Sequence, residues 1–159
     1  MGRSGDMIVN IMKLPAMPEL PEGVEIKRAL SLDKRKILRF IEENFGEGWL
    51  GEADVALSCC PSHCVIAVKE EQVVGFACWD ATAKGFFGPT GVSEQCRGKG
   101  VGKALLLRTL AHMREEGYVY GIIGWVDDAR VFYEKTLGAT FIPGGDPRES
   151  IYGQMIRKI

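Results

Sequence analysis

Several features that would narrow the role of these 159 residues are missing from them. No apolar run approaches the roughly 18 residues of a membrane-crossing helix. The stretch Met7-Ile8-Val9-Asn10-Ile11-Met12 is too short and interrupted for the apolar centre of an export signal, about 7–15 residues long. Charge of one sign is lacking too. Lys and Arg number 20 against 21 Asp and Glu, a net charge of −1, which gives no reason to expect nucleic acid or an anionic membrane as a partner. The five cysteines are an odd number without an export signal, so reduced thiols and a cytoplasmic location are expected. Their densest group, Cys59, Cys60 and Cys64 with His63, lacks the distant second pair of a structural zinc site. We therefore expect a loop leading into a buried strand and no metal, with a zinc-binding interaction domain as the alternative. There is no internal repeat and no low-complexity segment. What is present, 46% hydrophobic and 26% charged residues, describes one globular domain with a real core.

The most informative stretch is Val92-Ser93-Glu94-Gln95-Cys96-Arg97-Gly98-Lys99-Gly100-Val101-Gly102-Lys103. It follows a strand-like run, Gly85–Val92, and opens an amphipathic helix reading on to Glu116. Glycine takes φ > 0 and lets a ligand approach the backbone. A helix start carries unpaired N–H groups and partial positive charge. With Arg97 and Lys99 among the glycines, this is a candidate site for phosphate or pyrophosphate. The Walker A pattern fails in both registers: Ser93 and Arg97 stand where a Gly is needed, and Gly100 and Ala104 where Ser or Thr is needed. The dinucleotide fingerprint beginning at Gly98 fails at Lys103. Cys96, beside Arg97, is a candidate labile thiol.

What fits is Gln95-x-x-Gly98-x-Gly100 between strand and helix, which resembles the acetyl-CoA pyrophosphate loop of the GNAT N-acetyltransferase superfamily. A second segment, Ala129-Arg130-Val131-Phe132-Tyr133-Glu134-Lys135-Thr136-Leu137-Gly138-Ala139, resembles that family's A-x-x-F-Y-x-K-x-G-F, with one residue inserted before the Gly and Ala139 in place of the aromatic. The likeness covers roughly residues 84–142 well. It implies an α/β (or α+β) GNAT fold. That is a mixed, mostly antiparallel sheet of six to seven strands with about four helices, splayed between the fourth and fifth strands to admit the pantetheine arm.

Residues 1–22, with Pro15, Pro18 and Pro21, read as a tail or arm, and 23–159 as the single domain. Val24–Arg28 alternates like a first strand. Ser31 is placed to cap a helix carrying Leu32, Ile37, Leu38, Phe40 and Ile41, stopped by Gly46 and Gly48. Trp49–Leu57 is a weaker helical stretch. Phe45, Trp49 and Glu52 border the acceptor site in the family, although core packing is the simpler reading for the two aromatics. Cys64–Val68 and Val73–Trp79 form a hairpin, and Gly88-Pro89 should interrupt the next strand. Val119–Val126 is apolar enough for a parallel pairing. Asp127 or Asp128 should cap the last helix. Thr140–Ile142 and Ile151–Ile156 suggest a closing hairpin.

The resemblance implies an N-acetyltransferase that moves acetyl from acetyl-CoA to an amine of a small molecule or peptide by direct attack, with a homodimer left open. Backbone groups of Gln95, Cys96, Arg97, Gly98, Lys99, Gly100, Val101, Gly102 and Lys103 would hold the pyrophosphate, with Val92 on the pantetheine arm and Phe132 beside the cofactor. Tyr133 takes the family's general-acid position near the thioester sulfur. A lysine-like acceptor of pKa about 10.4 must lose a proton to react, at a cost of about 4.6 kcal/mol at pH 7. The carboxylate that many members carry at the end of the fourth strand is absent: Gly88-Pro89-Thr90-Gly91 stands there. Asp127, Asp128, Asp80 and Glu52 are the candidate substitutes, with a helix cap or a solvated charge as the simpler reading of each. Val126 also stands where many members have a cofactor-contacting Asn. A non-catalytic acyl-CoA sensor or scaffold is the alternative, favoured by the missing carboxylate and disfavoured by Tyr133.

Overall fold

The structure, a computed structural model, describes residues 3–157 and 159. Seven strands form one sheet: β1 (Gly5–Asn10), β2 (Val24–Arg28), β3 (Cys64–Lys69), β4 (Gln72–Trp79), β5 (Phe86–Val92), β6 (Tyr120–Val126) and β7 (Thr140–Phe141). Four α-helices accompany them: α1 (Lys34–Phe45), α2 (Leu50–Leu57), α3 (Val101–Glu115) and α4 (Arg130–Leu137). The spatial order is β2-β3-β4-β5-β6-β1-β7, with every neighbour antiparallel except β5 and β6. The mixed, mostly antiparallel sheet expected from the sequence is therefore present.

Strand alternation divides the core in two, because successive side chains point to opposite faces. On β3 and β4, Val65, Ala67, Ala77 and Trp79 join the cluster built on α3. Cys64, Ile66, Phe76 and Cys78 join the cluster under α1 and α2. Helix α3 is buried along Val101, Leu105, Leu106, Leu110 and Met113, and Tyr133 of α4 packs into the same cluster. Helix α1 contributes Ile37 and Ile41, one turn apart on its inner face.

Four expectations about the elements need correction. Gly5–Asn10, read as part of a tail, is an interior strand pairing with β6 on one side and β7 on the other. Met7 and Val9 are buried, and their short apolar alternation gains its partners from the far end of the chain. The Pro-rich arm is ordered along α3. Arg114 Nη1 donates to the Met12 carbonyl at 3.5 Å near one end of that helix, and Pro18 lies against Gly100 at the other. The closing hairpin is replaced by the two-residue β7, which pairs with β1 at the end of the sheet, and by a 3-10 turn at Ile151–Gln154. Finally, Ser31 opens a 3-10 turn rather than capping α1, and neither Asp127 nor Asp128 caps α4, whose N-cap Ala129 receives no side-chain hydrogen bond.

Candidate active site

The parallel pair β5–β6 is joined only at Phe86–Ile122 and Phe87–Ile123. Beyond that point β5 carries Gly88, whose φ is 116°, and Pro89, which has no N–H to give. The strands separate there. Thr90, Gly91 and Val92 keep their partners on β4, leaving the other edge of β5 without a strand partner toward the gap. The split falls between the fourth and fifth strands counted from Val24, as expected.

A cleft of about 580 Å³ fills this split, within the usual range for a ligand site. It runs from one face of the sheet to the other. On the α3 and α4 side it is lined by Ile123, Val126 and Tyr133; on the opposite side by Trp49, Glu52, Thr82, Trp125 and Tyr152. Tyr133 is 7% exposed, and its hydroxyl makes no hydrogen bond among the described residues. Burial pushes its pKa up to about 12, so the phenol stays neutral and able to donate.

The opposite wall is a connected set. Thr82 Oγ1 donates to Glu52 Oε2. The Tyr152 hydroxyl lies within hydrogen-bonding reach of Thr82, and its pKa is raised by burial, then by the charges of Glu52 and Asp6. The Tyr152 ring packs 5.2 Å from Trp125, and its hydroxyl sits against Gly124, where any Cβ would collide with it and press on Phe86 at 3.0 Å. Trp125 adopts φ 46°, a left-handed conformation costing a non-glycine residue about 1–2 kcal/mol. Buried Asp6 stabilises it: Oδ1 accepts the Trp125 N–H at 2.9 Å, while Oδ2 accepts the Ser150 hydroxyl.

The glycine-rich loop lies at the start of α3. Gly98 and Gly100 have φ of 75° and 86°, so both positions demand glycine. Gln95, Arg97, Gly98 and Lys99 are exposed, Gly102 and Lys103 half-buried. Cys96 and Val101 are buried, so only their backbone is available to a ligand, and the Cys96 thiol is not offered to solvent. Arg97 Nε donates to the Val92 carbonyl at 2.9 Å, fixing the loop to the end of β5. Lys99 and Lys103 form no ion pair among the described residues. Half-buried Val92 lies 3.6 Å from the place of a Cβ at Gly102, and Phe132 is exposed on α4 with its ring 5.2 Å from Tyr133. Space beside Gly98, the left-handed backbone and free cations together fit a pyrophosphate.

Other candidates lie elsewhere. Asp80 accepts the Gly85 N–H and the Tyr118 hydroxyl and does not line the cleft. Phe45 packs against Phe76 and Trp49, whereas Trp49 serves both the core and the cleft. The cysteine-rich loop does not converge: Cys64 is buried opposite Cys78, His63 stacks on Trp79, and Cys59 Sγ donates to the Val55 carbonyl. No three His, Cys, Asp or Glu among the described residues are grouped for a metal. Sequence reasoning passed over Asp6, Thr82, Trp125 and Tyr152. Only the aromatic Tyr152 after a Pro/Gly turn offered a local signal.

Comparisons agree with this geometry. Residues 34–139 match the family model described as the acetyltransferase (GNAT) family. A GCN5-related N-acetyltransferase from Sphaerobacter thermophilus superposes with a TM-score of 0.67 at 24% identity, covering 86% of this chain and 47% of that one. A GNAT-family acetyltransferase from Colwellia psychrerythraea gives 0.64 at 17%, covering 87% and 53%. A ribosomal-protein-alanine N-acetyltransferase from Brucella melitensis biovar Abortus gives 0.58 at 18%, covering 76% and 95%. The chain thus spans about half of the first two proteins, and at these identities the likeness concerns the fold. No curated protein is significantly similar in sequence. With its family model matched over more than half its length and its sheet split above a glycine-rich loop, the chain belongs to the GNAT acetyltransferase family.

Proposed function

We propose that the protein transfers an acetyl group from acetyl-CoA to an amine of a small molecule or peptide, within a complex holding both substrates. The observation that carries this reading is the placement of buried Tyr133, whose hydroxyl has no partner among the described residues, in a cleft that passes through the sheet. One mouth faces the α3 and α4 side, where the Arg97–Lys103 loop would hold the pyrophosphate and the free edge of β5 would pair with the pantetheine arm. When bound, acetyl-CoA supplies the acetyl group as a thioester: the amine nitrogen bonds to the acetyl carbon, the carbon–sulfur bond breaks, and the amide and CoA thiol result. The chain's part is to orient the two and to manage the protons.

Glu52 is the carboxylate best placed to take the amine's proton, since it faces the cleft half-buried and Thr82 fixes one oxygen, leaving the other available. It supplies from α2 what β5 lacks. Tyr133 serves the leaving sulfur. Full transfer from a phenol of pKa about 12 to a thiolate of pKa about 8.5 is uphill by roughly 5 kcal/mol. The hydroxyl therefore acts chiefly as a hydrogen-bond donor to the developing thiolate.

The direct test is thermal unfolding with acetyl-CoA and with desulfo-CoA. A ligand at about 100 times its Kd stabilises by about 2.7 kcal/mol, a rise in Tm of roughly 5–10 °C for a chain of this size. Both ligands should act alike, because the pyrophosphate is the anchor. No response to either at millimolar concentration and low salt contradicts the reading. A shift from both with no thiol release over a broad amine panel favours the sensor or scaffold.

A further inference from the structure

Charge is distributed unevenly along the cleft. The loop at the start of α3 carries Arg97, Lys99 and Lys103, suited to a polyanionic donor. Among the described residues the cleft itself is lined by Glu52, Asp127 and Asp128 and by no Lys, Arg or His. Asp127 and Asp128 are exposed between β6 and α4 and, capping nothing, form no ion pair or side-chain hydrogen bond among the described residues. The nearest cation along the chain, Arg130, is engaged with Glu134 at 3.6 Å. Trp49, Trp125 and Tyr152 supply aromatic faces to the same space, and such faces attract cations. Tyr133, buried in the cleft without a hydrogen-bond partner among the described residues, marks where the proposed reaction occurs, and the two aspartates stand at the same cleft's rim.

We propose that the acceptor is a primary amine bearing a second cationic centre, a diamine or longer polyamine, whose distal charge is held by Asp127 and Asp128 while the reacting nitrogen lies toward Glu52 and Tyr133. This deepens the acetyl-transfer reading and rests on it. An acceptor with a carboxylate near its amine meets repulsion here, and an uncharged tail leaves both aspartates without a partner. Each contact is partly solvated and modest, so the pair is worth about tenfold in affinity and weakens with salt.

Three compounds of equal chain length separate the cases: 1,4-diaminobutane, 1-aminobutane and 4-aminobutanoate. Their KM values come from thiol release with acetyl-CoA, and their Kd values from calorimetry with and without saturating desulfo-CoA, a readout independent of turnover. The diamine should lead aminobutane by about tenfold, with aminobutanoate weakest. The lead should shrink in 0.5 M NaCl and disappear in the Asp127→Asn/Asp128→Asn variant, whose circular dichroism and desulfo-CoA affinity establish that it is folded. Equal affinities, a preference for aminobutanoate, or a lead that survives in the double variant would overturn the proposal. Failure of desulfo-CoA itself to bind would instead remove the acetyl-transfer reading, and the diamine measured alone still decides the cation site.

Discussion

In the proposed reaction Tyr133 serves the chemistry, while its hydroxyl should be nearly silent for stability. Its ring packs with the α3 cluster, while its hydroxyl has no hydrogen-bond partner among the described residues. Tyr133→Phe keeps the ring, so the Tm should hold within about 2–4 °C, corresponding to about 1 kcal/mol. Affinity for desulfo-CoA should hold similarly. Positioned proton donors contribute ~10²–10⁴-fold, and a phenol of pKa about 12 facing a good leaving group belongs at or below the low end. A fall in kcat of roughly 10–100-fold at saturating acetyl-CoA is therefore expected. Turnover within twofold of the parent across pH 7–9 would make Tyr133 a packing residue. Its candidacy was legible because a contiguous helical motif carries it. Glu52 was only one of four carboxylates, since nothing local says that Thr82, thirty residues on, will hold it in the cleft.

Among the elements, β1 does the least expected work. Its Asp6 sits at a register shift against β6 and ties together three pieces of chain: the β6 end through Trp125, the Ser150 turn, and the Gly145 loop, whose carbonyl accepts the Asp6 N–H at 2.9 Å. Asp6→Ala leaves the Trp125 N–H and Ser150 hydroxyl unsatisfied and Trp125 strained. Hydrogen bonds to a charged group are worth about 1.5–3 kcal/mol each, so a loss of about 3 kcal/mol, or roughly 6–12 °C in Tm, is expected. Because Tyr152 lies just beyond Ser150, the acceptor KM should rise while desulfo-CoA affinity is retained. An unchanged Tm in Asp6→Ala would show these bonds to be dispensable. Residues 84–142 were readable because their motifs and elements are continuous in sequence. Gly5–Asn10 was not, because a strand of six residues carries too short a period to reveal partners more than a hundred positions away.

For the molecule as a whole, acid should be the destabilising direction. His112 stacks on Trp79 at 5.3 Å, and its pKa is lowered by burial and then by Arg28, whose guanidinium lies 5.0 Å from the same indole; Arg108 acts the same way, and Glu115 and Glu116 partly offset it. A histidine with a lowered folded pKa stays neutral in the fold while the unfolded chain takes up a proton. Stability is thus complete above the unfolded value near 6.5 and declines as pH falls below it. His63 also stacks on Trp79, so the contribution of His112 is isolated by difference. His112→Phe should flatten the decline in urea midpoint between pH 7 and 5, and an equally steep profile would assign the dependence to other groups. The overall architecture was legible from hydrophobic periodicity and the two motifs. The strand that closes it was not, and that strand bears on assembly. β2–β5 with α1–α3 are contiguous in the chain and can fold as they emerge from the ribosome. β1 must wait unpaired until residues 120–126 and 140–141 have been made. At about 5–20 residues per second that is an interval of roughly 6–26 s, in which Met7-Ile8-Val9 is an open strand edge for any chaperone or neighbouring nascent chain to meet.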